Sequence, residues 1–268
     1  MIHAKFRRML APLKHTPLHP QWLMYRSWKR RKQWPAVDIV SGRLLDVGCG
    51  NQNLRAQLHN RVEYIGLDYP ATTGLGYAGK PHILADGQQL PFADKTFDSV
   101  CLLDVLEHIP QPEKAFSEAV RVTRHQGKIY WQTPFIYPIH DLPYDFYRWT
   151  IQGIQQHENR YPVILTELTP HSNAIETAVT LTNLALAKGI LDAFTQRHIK
   201  VLLAPIGAML ILFNNISGRL LASVFQDVGF MPLGYSAVFS KNMPENGSGS
   251  KSSECVRLSR NRSGKHTQ

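Results

Sequence analysis

This sequence predicts an α/β fold, a mostly parallel sheet with helices wound on both sides, and three observations carry that prediction. The first is the stretch Leu44-Leu45-Asp46-Val47-Gly48-Cys49-Gly50. Two apolar residues run into an acid and then a Gly-x-Gly pair, the pattern of a buried parallel strand ending in a tight turn. The second is a series of three strand candidates that each end in an acid, at Asp46, Asp68 and Asp86. One such acid is ordinarily a solvated strand end. Three in succession point to a shared ligand edge at the carboxyl ends of the strands, where open α/β sheets bind. The third is the alternation of short apolar runs with helical spacing from Asp38 onward, which argues for parallel winding.

Taken in order, the first strand ends at Asp46-Val47, and a helix is expected to follow the glycines with Leu54 and Leu58 on one face. Val62 to Asp68 forms a second strand whose acid lies about 20 residues after the glycines, the place of a carboxylate that grips a ribose. His82 to Ala85 is a short third strand running into Asp86-Gly87. Phe97 to Leu103 is the fourth, followed by Asp104-Val105-Leu106-Glu107-His108. Pro110 and Pro112 bracket the entry to a helix in which Ala115, Phe116, Ala119 and Val120 share a packed face. Gly127 opens a fifth strand, Lys128 to Thr133, which Pro134 stops. Val163 to Leu168 and Leu233 to Ser240 supply the sixth and seventh strands. The long interval between those two is expected to hold inserted helices, Ala174 to Leu191 and Val201 to Phe225.

The five central pieces, LLDVGCG (44–50), YIGLDY (64–69), ADGQQLPFADKTFDSV (85–100), LLDVLEHI (102–109) and GKIYWQTP (127–134), resemble the class I S-adenosylmethionine (SAM)-dependent methyltransferases of the type 11 group. The resemblance spans roughly residues 38–170. It implies a Rossmann-like, doubly wound, mostly parallel seven-stranded sheet of order 3-2-1-4-5-7-6, with a helical insert before the last strand. It also implies SAM as cofactor. Gly48, Gly50 and Asp46 would hold its amino-acid end, Asp68 its ribose, Asp86 and Gly87 its adenine, while Leu103 and Asp104 line the wall near the sulfonium; Tyr69 is a further cofactor-binding residue. Two positions depart from the family pattern: Gln52 stands where a third glycine is usual, and His125-Gln126-Gly127 replaces the usual Pro-Gly-Gly turn.

Beyond the fourth and fifth strands lies a dense polar and aromatic cluster: His140, Asp141, Tyr144, Asp145, Tyr147, Arg148 and Trp149. Its prolines, Pro134, Pro138 and Pro143, argue for a rigid loop. Similar type 11 members carry a comparable stretch, which implies an acceptor wall with Tyr144, Asp145 and Arg148 as substrate-binding residues. If the acceptor is a hydroxyl, a base must take its proton, and His140 and His108 are the histidines closest in sequence to the strand ends. A structural alternative has Asp145 paired with Arg148 and capping a helix that starts near Thr150. No Asn-Pro-Pro-Tyr follows the fourth strand, which favours O- or C-methylation over amide N-methylation. The expected acceptor is a small molecule, lipid- or saccharide-linked. Two rival functions remain open. An NAD-dependent oxidoreductase would share the glycine turn, although Asn53 occupies the place of its last glycine. A non-catalytic SAM-binding or membrane-interaction module would use the 134–149 loop as scaffold only.

Composition bounds the rest. With 268 residues, 43% hydrophobic and 19% charged, the chain has the balance of one globular domain plus appendages. Cys49, Cys101 and Cys255 show no metal or disulfide spacing, so no metal is assigned and a reducing, cytoplasmic setting is expected. No apolar run near the start resembles a signal peptide. The net charge of +10 is uneven: residues 1–37 hold nine Lys or Arg and no acid, while residues 38–240 carry 15 bases against 18 acids. Basic ends on an acidic body argue against a nucleic-acid groove and fit contact with an anionic lipid surface or a phosphorylated partner. Residues 1–37, with Trp22, Trp28 and Trp34 beside Lys29-Arg30-Arg31-Lys32, read either as a membrane-surface segment or as a lid over the cofactor edge. The catalytic domain is set at 38–240, its helical insert at about 171–230, and a basic disordered tail at 241–268. Val201 to Phe213 is a run of thirteen apolar residues. At about 1.5 Å per residue it is too short for a bilayer core, so a lid or shallow interfacial helix is expected there. Residues 1–37 and 201–225 are the expected points of peripheral membrane contact.

Overall fold

Leu44 and Leu45, with no exposed surface, sit on an inner strand of a seven-stranded sheet in the order β3-β2-β1-β4-β5-β7-β6. In the computed structural model, which describes residues 11–30, 34–75, 77, 79–225, 227 and 229–242, the strands are β1 Gly42–Val47, β2 Val62–Asp68, β3 Ile83–Leu84, β4 Phe97–Leu103, β5 Thr123–Pro134, β6 Val163–His171 and β7 Gly234–Lys241. The first five pair in parallel; β7 runs antiparallel between β5 and β6. This is the sheet order the sequence resemblance implies. The expectations for residues 1–10, 31–33 and the tail from 243 lie outside the described residues.

Side chains alternate across the sheet as pleating requires. Leu45, Val47, Val100, Leu102, Ile129 and Trp131 face one core. Leu44, Cys101, Tyr130 and Val238 face the other. The first core is closed by helix α2, Pro112–Val122, following α1 Trp22–Arg30 in the chain. Ala115, Phe116, Ala119 and Val120, the face read from the sequence, are all buried in it. Phe116 meets Trp131, His157, Tyr161 and Phe239 at ring-centroid distances of 4.7–5.5 Å. Two short helices, α3 Ile151–Gln155 and α4 His157–Arg160, complete that side. Thr150 caps α3 by accepting the Gly153 N–H at 3.1 Å. Asp145 therefore does not cap it.

The opposite core departs from the expected helix. After the glycine turn the chain makes only a single 3-10 turn, Arg55–Gln57. Just 14 residues separate Val47 from Val62, and Gln52 among them takes a left-handed φ of 56°. The connection has no room for a full amphipathic helix, yet Leu54 is buried and Leu58 packs beside it. Ala36 and Ile39 of the N-terminal stretch cover the rest of that face.

Between β6 and β7 stands a helical hairpin, α5 Ala174–Thr195 and α6 Ala204–Val224, within a residue or a turn of the expected bounds. Asn173 and Glu176 form a capping box at the start of α5. The facing surfaces are small and polar: Gly207 lies against Ile190, Gly218 against Val179, and Asn183 donates to Asn215 at 3.0 Å. Asn215 in turn donates to the carbonyls of Pro17 and His19. Helix α1 packs on α5, α6 and β6, and its Trp22, Leu23 and Met24 are buried. Those residues are therefore turned into the protein.

Truncating the aromatic hub should be costly. Phe116→Ala removes a fully buried ring from the meeting point of α2, β5 and β7, and a loss of about 3–5 kcal/mol is expected in urea unfolding.

Candidate active site

The carboxyl ends of β1, β2, β3 and β4 open on one cavity of about 1320 Å³, larger than the roughly 300–1,000 Å³ of an ordinary small-molecule site. Asp46, Asp68 and Asp86 all reach its wall, as do Gly48, Gly50, Tyr69, Gly87, Leu103 and Asp104. The strand-end acids thus converge as their sequence pattern implies.

At the glycine turn the backbone is crowded. Gly48 has φ +70°, and a Cβ there would stand 2.3 Å from Val105 Cγ2. Gly50 has φ +46° and donates its N–H to Asp68 Oδ2 at 2.9 Å. Asp68 Oδ1 accepts from the Tyr69 N–H and the Thr72 hydroxyl, each at 2.8 Å. The carboxylate expected to hold a ligand therefore also ties β2 to the turn. Gln52 adopts the left-handed conformation that the usual third glycine would supply, and its amide donates to the Lys80 carbonyl at 2.5 Å.

Asp46 is buried, and its Oδ2 accepts the Tyr64 hydroxyl at 2.7 Å. Burial lifts its carboxyl to about 7; the Tyr64 bond works against that rise and neighbouring Asp68 adds to it. Asp86 is held by Gln88, whose backbone N–H donates to Oδ1 at 2.8 Å and whose amide donates to both oxygens at 3.1 Å. Gly87 is packed so that a Cβ would meet Val47 Cγ1 at 3.2 Å. Asp104 has φ +52° and accepts the Gln132 amide at 2.5 Å.

Past β4 the loop 134–149 folds back on the turn carrying Glu107 and His108. His108, Asp141 and Tyr144 line the cavity; His140, Asp145 and Arg148 are not among its lining residues. His140 meets His108 edge-on, with ring centroids 4.8 Å apart. Asp145 accepts the His140 backbone N–H at 2.9 Å and pairs with Arg148 at 2.5 and 2.9 Å. Its carboxyl is drawn down to about 2, the Arg148 pair and the His140 N–H outweighing burial. The pair clamps the loop.

His108 Nδ1 lies 2.9 Å from the Tyr144 carbonyl. A carbonyl only accepts, so that nitrogen carries the proton and Nε2 keeps its lone pair. Burial also holds the imidazole below its ordinary range, opposed in part by the Tyr144 carbonyl.

Several site residues were not singled out in the sequence. Tyr64 acts on Asp46, and nothing in a strand tyrosine signals that. Tyr77 donates to Asp141 Oδ2 at 2.7 Å and lies 3.5 Å from where a Gly50 Cβ would be, bridging the glycine turn to the acceptor-side loop. Lys14, Trp34 and Pro35 also reach the cavity, so part of the N-terminal segment contributes to its wall. Glu107, inside a motif already noted, is fully buried with neither carboxylate oxygen hydrogen-bonded.

The state of Asp46 has a measurable sign. Its folded pKa exceeds the unfolded value, so the folded chain holds that proton more tightly, and its contribution to stability falls as pH rises from about 3.8 through 7. Asp46→Asn should therefore gain stability relative to the parent at pH 8.5 but not at pH 4, by at most about 4 kcal/mol, in urea melts at the two pH values.

Residues 45–131 match the family model described as "Methyltransferase domain". The chain is 34% identical over 112 residues to a demethylmenaquinone methyltransferase of Renibacterium salmoninarum, covering 39% of this chain and 46% of that one. It is 29% identical over 110 residues to a ubiquinone biosynthesis O-methyltransferase of Dechloromonas aromatica, covering 37% and 47%. The chain thus spans about half the length of the curated relatives it matches. Among solved structures, a SAM-dependent methyltransferase from Archaeoglobus fulgidus superimposes with a TM-score of 0.47 at 16% identity, covering 82% of this chain and 94% of that one. The methyltransferase match thus falls on the sheet whose order is the one that the sequence resemblance to class I SAM-dependent methyltransferases implies.

Proposed function

We propose that this chain transfers the methyl group of SAM to an oxygen or carbon of a small, apolar acceptor taken from a lipid surface. The observation that carries the reading is the single cavity joining the strand-end acids to His108, Asp141 and Tyr144, so that cofactor and acceptor share one space. The residues fit SAM. Gly48 leaves no room for a side chain beside Val105, and the buried Asp46, once ionised, offers a charge partner to an ammonium. When bound, SAM supplies an electrophilic methyl on a sulfonium. The chain's own work is then alignment, which carries most of the rate in such a displacement. Leu103 and Asp104 form the wall where β4 ends, and the unprotonated Nε2 of His108 is the basic lone pair on that wall.

Support for a lipid surface comes from the hairpin. Its inner face is small and polar, whereas Leu202, Ile206, Met209, Leu210, Phe213 and Leu220 are exposed along α6 and the turn before it, Met209 by 71% and Phe213 by 67%. These recur at the spacing of one helical face. Both hairpin helices are long and apolar enough to cross a membrane, and little of α6 is buried. Between Asp192 and Asp227 there is no acid, only Arg197, Lys200 and Arg219, which suits an anionic surface. Relatives named for demethylmenaquinone and ubiquinone biosynthesis point the same way.

Two measurements test this. Calorimetric titration should give stoichiometric SAM binding that weakens by up to tenfold per pH unit below about 7, as Asp46 protonates. Asp46→Asn should bind at least tenfold more weakly and lose that pH dependence, and methyl-labelled SAM should label a quinol or other lipid hydroxyl offered in vesicles. Binding of NAD and not SAM would sink the proposal. Separately, the protein should sediment with anionic vesicles, and Met209→Asp combined with Phe213→Asp should cut that binding at least tenfold without altering SAM affinity.

A further inference from the structure

Three metal-ligating side chains meet beside the cavity: Glu107 and His108 from the turn after β4, and His140 from the 134–149 loop. One ligand atom from each lies within 4.8 Å of the others. Glu107 Oε1 and His108 Nε2 are 3.9 Å apart.

Two further features mark this as a built site. Glu107 has no exposed surface, and neither of its oxygens accepts a hydrogen bond. A buried carboxyl with no hydrogen-bond partner is costly and calls for an explanation. Each histidine, in contrast, is already held at its Nδ1. His108 Nδ1 donates to the Tyr144 carbonyl at 2.9 Å, and His140 Nδ1 lies 3.1 Å from the Pro138 carbonyl and 3.3 Å from Asp145 Oδ2. An imidazole fixed in this way through one nitrogen presents the other, unprotonated, to a metal.

The surrounding charge agrees. Asp104, Asp141 and Asp145 act electrostatically on Glu107 or His108, and Arg148, which also acts on Glu107, is already paired with Asp145. A cation would offset this excess of carboxylates. Zinc bonds of about 2.0–2.2 Å in a tetrahedral site would draw the three ligand atoms to roughly 3.4 Å apart.

We infer that Glu107, His108 and His140 form a site for one divalent first-row metal ion, of the zinc or manganese kind, beside the cavity that His108 lines, and that a position left open next to His108 takes oxygen from the acceptor. Two imidazoles with one carboxylate suit such ions better than magnesium or calcium. The consequence deepens the methyltransferase reading and rests on it. An acceptor hydroxyl bound to the ion gives its proton to solvent water at a lowered pKa. The resulting oxygen then forms its bond to the methyl carbon while the sulfonium C–S bond breaks, its electron pair staying on sulfur as a neutral thioether. One proton is released per turnover, and no oxidant or reductant is needed. The lone pair of His108 then acts through the ion and is not itself the base.

The test uses the full chain, stripped with chelator and titrated by calorimetry with Zn²⁺ and with Mn²⁺, with SAM titrated into the same samples. Cobalt loading supplies an absorption band that reports imidazole ligation. One ion per chain is expected. Glu107→Gln and His140→Gln should each weaken it at least tenfold and abolish the cobalt band, with SAM affinity changed by less than twofold. His140→Gln carries the test if the buried Glu107→Gln variant fails to fold. Metal that does not bind stoichiometrically, or binds equally well to both variants, overturns the site and returns His108 to the role of direct base. If metal binds and depends on these residues while SAM does not bind, the site stands and the methyltransferase reading falls.

Discussion

A turn with no space for side chains sets the terms for the rest of the molecule. Gly48 is pressed against Val105 at the start of the turn after β4, and Gly50 is held by its N–H to the carboxylate that ends β2. Three strand ends are thereby fixed relative to one another by backbone contacts. Asp46, Asp68 and Asp104 inherit their positions from that constraint, and a substitution at Gly48 would have to move β1 away from β4. The acids cost stability where they are buried, and Asp46 at about 7 shows the strain of holding a charge there. A ligand with a positive group would relieve it.

The acceptor side is organised differently. There the chain has no regular structure between β5 and α3, and order comes from polar contacts: Asp145 with Arg148 and the His140 N–H, His108 with the Tyr144 carbonyl, Tyr77 with Asp141. The last of these crosses from the cofactor side to the loop.

Much of this was legible in the sequence, and the limits have physical causes. Strand identities and the three converging acids follow from apolar runs of strand length ending in acids, a local signal, whereas the sheet order was implied by the family resemblance. The packed face of α2 was equally readable, because 3-4 spacing admits one reading. The helix expected after the glycines was not found, since Leu54 and Leu58 satisfy a helical face and a 3-10 turn alike, and only the short connection decides. Asp145 looked like a cap, but Thr150 stands one residue before α3 and takes that bond. Glu107 with His140 could not be seen at all. The two lie on separate elements more than 30 residues apart, and only the folding of the 134–149 loop brings them together. Long-range polar contacts leave no periodicity behind.

The insertion of the hairpin has a structural economy. His171, the last residue of β6, pairs with Gly234, the first of β7, so residues 172–233 leave the sheet and return at adjacent points. The sheet's register does not depend on what lies between, and the closure entropy of such an excursion grows only with the logarithm of its length. The length and sequence of the hairpin are thus only loosely constrained by the sheet, and its ties run instead to the N-terminal segment, through α1 and the Asn215 bonds to Pro17 and His19.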